Sequence, residues 1–197
     1  MITRHRTGVM ALLVALALGP AVPAASAAAI AWTVDPAHSR LTFHPRLAGG
    51  EFAGRFERFD ATIRFDPVDL AHSSLRVVVD LLGARTGDTD RDTALQGSDF
   101  FQTTRWPTGT FTSTRIRSLG DGRFEATGKL TLRDVTRDVR VQFRFDPAAP
   151  SGGAARMTGS SNLRRLEFGV GQGDWRSTEW LDDAVRIEFD LALRAAR

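Results

Sequence analysis

Cysteine is absent from the chain, and with it go disulfides, thiolate metal sites and thiol catalysis. Tyrosine is absent as well, and Lys129 is the single lysine, so almost nothing titrates between histidine and arginine. A small excess of arginine therefore drags the calculated isoelectric point upward without making the surface basic. No basic run suggests a phosphate track, and charges of both signs alternate along the chain as they do on solvated faces. Beyond Gly19, no apolar run approaches the roughly 20 residues that a bilayer-crossing helix needs.

The first stretch reads as a secretory signal over residues 1–27. Arg4 and Arg6 precede an apolar segment from Val9 to Gly19, and Ala25, Ser26 and Ala27 offer small residues for cleavage after Ala27. Without it, 24 basic residues face 23 acidic ones, a balance that does not suit nucleic-acid binding. Residues 28–197 are long enough for one domain with a real core and too few for two.

What the remainder has is alternation. In Arg123–Phe145 the residues Phe124, Ala126, Gly128, Leu130 and Leu132 alternate with polar ones, and after a short polar turn Val139, Val141, Phe143 and Phe145 do the same. Period 2 puts successive side chains on opposite faces, so this is a β-hairpin with one apolar face that needs cover. Two strands alone cannot supply it. Further strands follow from Trp32, from Leu41 and Phe43, from Phe59 to Phe65, from Leu75 to Leu81 and from Val185 to Leu193. Val78 and Leu82 also make the second face of one strand apolar, so cover on both sides is expected there. Phe111 and Ile116 fall on opposite parities, which a bulge would reconcile. Thr89 or Asp90 could cap a short helix from Arg91 to Gln96 that stops at Gly97. About eight antiparallel strands and one short helix favour a closed barrel or a two-sheet sandwich, and periodicity does not choose between them.

No catalytic cluster stands out. Asp88, Asp90 and Asp92 have the spacing that opens a calcium loop, but Thr93 occupies the glycine position and Asp99 the glutamate position. His38, His44 and His72 are far apart in sequence and lack partners at ligand spacing. His38 and Ser39 would point to opposite faces of a strand and form no dyad. Gly169, Gly171 and Gly173 read as turns or close backbone approaches rather than a phosphate loop.

An ordered series of motifs resembles the YceI-like proteins, a family of polyisoprenoid-binding periplasmic proteins. It runs from Trp32 to Ser39 (W-x-x-D-P-x-H-S), Gly54 to Pro67, Thr86 to Asp92, Ser98 to Phe101, Trp106 to Thr114 and Gly128 to Arg137. The resemblance implies an all-β, lipocalin-like, extended antiparallel barrel of about eight strands around an apolar tunnel. It implies a non-enzymatic, periplasmic carrier of an isoprenoid or quinone-like lipid, with no cofactor and no metal. On that reading Phe43, Phe56, Val77, Val79, Phe101, Phe111, Leu130, Leu132, Val141 and Phe143 line the interior. The stretch from Gly169 to Trp175 resembles a subgroup found beside b561-type membrane cytochromes, which makes such a cytochrome a candidate partner. Oligomeric state, a homodimer included, stays open. The chain departs from the family at Arg46 and Leu47, roughly where a histidine is common, and at Asp134 and Asp138 in the hairpin. The alternatives are a structural or stress-related β protein with a filled core and a metal-dependent enzyme built on the aspartates.

Overall fold

The computed structural model describes residues 29–148 and 153–196. The signal expected over residues 1–27 lies outside them, as do residues 149–152 of the Pro- and Gly-rich loop.

The chain order is β1 (Ala31–Val34), β2 (Arg40–His44), β3 (Arg46–Leu47), β4 (Gly50–Glu51), β5 (Gly54–Phe56), β6 (Phe59–Arg64), β7 (Ser74–Asp80) and β8 (Ala84–Arg85). After α1 (Thr89–Gln96) come the long strands β9 (Thr108–Gly120), β10 (Arg123–Leu132), β11 (Val135–Pro147), β12 (Ala154–Arg164) and β13 (Ala184–Ala195). Strands β1, β6, β7, β9, β10, β11, β12 and β13 pair in that order, and β1 pairs back onto β13. This is a closed eight-strand antiparallel barrel.

Three of its eight staves are broken. β2 pairs with the first half of β13 while β1 pairs with the last, and β5 and β8 extend β6 and β7 in the same way. Two of the breaks are 3-10 turns, Pro36–His38 and Leu81–Gly83, each capped by an aspartate: the Asp35 carboxylate accepts from Ala37 N and Asp80 from Leu82 N. A carboxylate satisfies the first N–H groups that a turn leaves without partners. The ring of pairings ends at β8 on this side, and α1 follows it with Ala94 and Leu95 packed onto the apolar cluster there. The helix begins earlier than expected, at Thr89, because Asp88 is the cap and accepts from Arg91 N at 2.9 Å; Gly97 ends it as expected.

The bulge between Phe111 and Ile116 is present: Arg115 pairs with Thr127 and Ser113 with Gly128, which leaves Thr114 as the extra residue. Two expectations about outward faces need correction. Leu82 is 42% exposed, because it sits in the 3-10 turn that ends the alternation, so no second layer covers it. Glu125, placed by parity on the solvated face, is 6% exposed. Arg117, directly across on β9, lies over it at 2.8 Å. That hydrogen bond, with help from Gln142, holds the Glu125 carboxyl below the usual carboxylate range against the opposing effect of burial.

One end of the barrel is solid. Phe65 is fully buried, with ring centroids of Phe124, Phe143 and Phe145 at 5.0, 5.4 and 4.9 Å. Trp32 packs edge-on against Phe145, and its indole N–H donates to Phe65 O at 2.9 Å. Edge-to-face rings at these distances fill space as densely as a protein interior allows.

Candidate ligand tunnel

Above this plug the barrel is hollow. An inner chamber of about 160 Å³ is walled by side chains such as Phe59, Val77, Phe111, Leu130, Val141 and Phe189. An outer chamber of about 150 Å³ is walled by Phe43, Leu47, Phe52, Leu95, Phe101 and Leu181, among others. Phe56, Leu132, Leu163 and Ile187 belong to both walls, so the chambers lie next to each other along the barrel with these four side chains at their junction.

Nine of the ten residues expected on the wall are there. Val77, Val79, Phe111, Leu130 and Val141 face the inner chamber, Phe43 and Phe101 the outer one, and Phe56 and Leu132 both. Phe143 is the exception. It points inward as its parity requires, but at a level where Phe65 and Phe124 already fill the lumen, and it is 3% exposed within the plug. Alternation reports which side a residue faces and says nothing of its height along the axis. The same parity could have found Phe59, Leu163, Ile187 and Phe189. Phe168, Val170, Trp175 and Leu181, which also line the outer chamber, lie in irregular segments after β12 that carry no period.

Small residues opposite large ones keep the lumen open. Phe43 pairs with Gly54 across β2 and β5, and a Cβ on Gly54 would fall within the Phe43 ring. A Cβ on Gly128 would lie 2.6 Å from the Phe111 ring. Each phenyl ring therefore lies against the neighbouring strand instead of crossing the barrel.

The outer mouth is organised by two arginines. Arg165 is 5% exposed and directs its guanidinium N–H groups at five backbone carbonyls: Asp182 (2.9 Å), Val170 (3.1 Å), Gly171 (3.0 Å), Ser177 (3.3 Å) and Leu181 (2.7 Å). Burial pushes its pKa down while Asp183 and Asp182 oppose the shift. Gly171, at φ +79°, leaves no room for a Cβ beside this guanidinium, which is the close approach its glycines suggest. Arg133, in the β10–β11 turn, donates to the carbonyls of Phe100 and Gly169 and lies over the Trp106 ring at 4.8 Å.

A family model described as the YceI-like domain matches residues 32–193. The chain belongs to the YceI-like family. It is 34% identical over 160 residues to a UPF0312 protein of Vibrio vulnificus, covering 79% of this chain and 85% of that one. To a UPF0312 protein of Azotobacter vinelandii it is 30% identical over 183 residues, with 89% and 95% covered. The crystal structure of Burkholderia cenocepacia BcnA superposes with a TM-score of 0.76 at 30% identity, covering 81% of this chain and 98% of BcnA. A domain from Saccharophagus degradans, described as polyisoprenoid binding, has the same fold with a TM-score of 0.67 at 14% identity, covering 85% and 99%.

In this YceI-like chain the motif residues have structural partners. Asp88 caps α1, and Asp92 accepts from the Thr86 amide and hydroxyl at 2.7 Å. His38 meets Asp35 at 3.2 Å, while the Ser39 hydroxyl accepts from Ala192 N at 3.0 Å, so the pair diverges as expected. His44 lies between Glu188 (3.2 Å) and Glu51 (3.7 Å), and His72 meets Asp69 at 2.8 Å. At the departure from the family, Leu47 lines the outer chamber and Arg46 pairs with Asp182 at 3.8 Å.

Proposed function

We propose that this protein is an exported, periplasmic carrier that holds the tail of an isoprenoid or quinone-like lipid in its tunnel. The observation that carries this reading is the pair of adjoining apolar chambers between the mouth and the aromatic plug, which we read as one passage with its neck at Ile187. Each methylene taken from water contributes roughly 0.8 kcal/mol, so such a wall can retain a long chain with few polar contacts. The polyisoprenoid binding named for the Saccharophagus domain supports the choice of cargo, and the residues from Arg4 to Ala27 support export. Carriage requires no chemistry by the protein. A b561-type membrane cytochrome fits as the partner of a quinone carrier.

The test is native mass spectrometry of protein purified from its own host, followed by organic extraction. A bound lipid of defined mass is the expected result. An empty protein that also refuses quinones in a fluorescence titration would overturn the reading.

A further inference from the structure

The tunnel contains very few polar side chains, and what each does with its hydrogens selects the head group. Ser161 lines the inner chamber, and its hydroxyl donates to Arg140 O at 2.7 Å. In the outer chamber Thr86 donates to Asp92 at 2.7 Å, and the N–H groups of Arg165 are directed at five carbonyls. Arg91 is different. Its Nε reaches Thr86 Oγ1 at 3.4 Å, but its Nη groups make no hydrogen bond among the described residues. The nearest carboxylate oxygen, on Asp88, is 3.7 Å from Nη1, close enough for attraction and too far for a hydrogen bond. The guanidinium rests on the Phe52 ring at 4.7 Å, which removes water from one side and holds the fork at the chamber wall.

The Arg91 side chain is 40% exposed, so these donors meet solvent at the mouth, and a head group with an oxygen acceptor can take the place of that water. The neighbours of Arg91 decide which kind. Asp88 lies 3.7 Å from the guanidinium, and Asp92 accepts from the Thr86 hydroxyl that Arg91 Nε also reaches, so two carboxylates stand beside the one guanidinium. A phosphate or diphosphate would meet more negative than positive charge here. A carbonyl would accept from Arg91 without that repulsion.

We propose that Arg91 forms a head-group subsite for an uncharged, carbonyl-bearing ring such as a quinone, and that Asp88 and Asp92 beside it select against polyprenyl phosphates. This deepens the tunnel reading and rests on it.

The experiment uses the full mature chain and three probes that share a tail of four isoprene units: a menaquinone, a diphosphate and the bare hydrocarbon. Affinities are measured by displacement of a fluorescent apolar dye. Arg91→Leu, which removes the donors, should weaken the menaquinone about tenfold and leave the hydrocarbon unchanged. Arg91→Lys should recover part of that loss. Asp88→Asn, which keeps an acceptor at the helix cap, should strengthen the diphosphate and leave the menaquinone as it was. Equal effects of Arg91→Leu on menaquinone and hydrocarbon would overturn the subsite while the tunnel stands. So would a diphosphate that binds tightest to the unaltered protein. Refusal of all three probes would overturn the tunnel reading and the subsite together.

Discussion

Phe43 lies across Gly54, its direct partner on the neighbouring strand, so closely that a single added methyl would enter the ring. This pair holds a phenyl group at the wall that would otherwise project into the outer chamber. Gly54→Ala should destabilise the barrel by about 1–3 kcal/mol and shrink the outer chamber, lowering affinity for every tail. Phe43→Leu in the same chain should restore much of the stability. A double-mutant cycle read by denaturant unfolding checks it, and additive effects would refute the pairing.

The neck makes a second prediction. Ile187 lines both chambers, so Ile187→Trp should separate them. Long tails should then lose affinity while short ones that fit the outer chamber keep theirs. A series of quinones of increasing tail length is the measurement, and an unmoved length cut-off would refute the continuous path.

Phe143 and Phe111 share a parity but not a role. Phe143→Ala removes a ring from the packed plug and should cost about 3–5 kcal/mol, with little change in ligand affinity. Phe111 borders empty space, so Phe111→Ala should cost less stability and more affinity. Chemical denaturation and ligand titration of the two variants distinguish wall from plug.

Arg165 holds together the irregular segment after β12. Arg165→Met would leave five carbonyls without their donor, and the loss should reach at least about 3 kcal/mol. Lysine offers three donors on a point charge and should not replace the planar fork. Limited proteolysis should cut both variants between residues 169 and 183 faster than the parent. Parental cutting rates would show that the carbonyls find other partners.

Glu125 gives the pH dependence. Its folded pKa lies below the unfolded value, so its stabilising effect is fully present above the unfolded value of about 4.3 and is lost as pH falls through the folded one. Glu125→Gln should therefore be less stable than the parent by about 1 kcal/mol near neutrality, and the gap should shrink as pH falls below the unfolded value and close below the folded one. Urea midpoints across pH provide the check.

Alternation made the strands legible, since one-sided burial demands a period of 2, and Phe59 to Phe65 and Val185 to Leu193 carry it without interruption. The bulge at Thr114 was legible for the same reason: two apolar residues on opposite parities need one extra residue between them. Asp88, Thr89 and Asp90 are all acceptable caps, so local sequence leaves the helix start open, and the choice belongs to the path of the chain after β8. Parity puts Glu125 on the solvated side because it assigns a face and cannot see Arg117 folding over it.

The amino-acid order alone determined that antiparallel ribbons must bury a face rich in phenylalanine, valine and leucine. The motif series, as a family resemblance, pointed to a barrel. Only the three-dimensional arrangement decided that the face is packed solid around Phe65 and hollow above it. Filled or empty depends on which rings meet at the same height and which rest on a glycine next door. Those are relations between distant strands, and no local period records them.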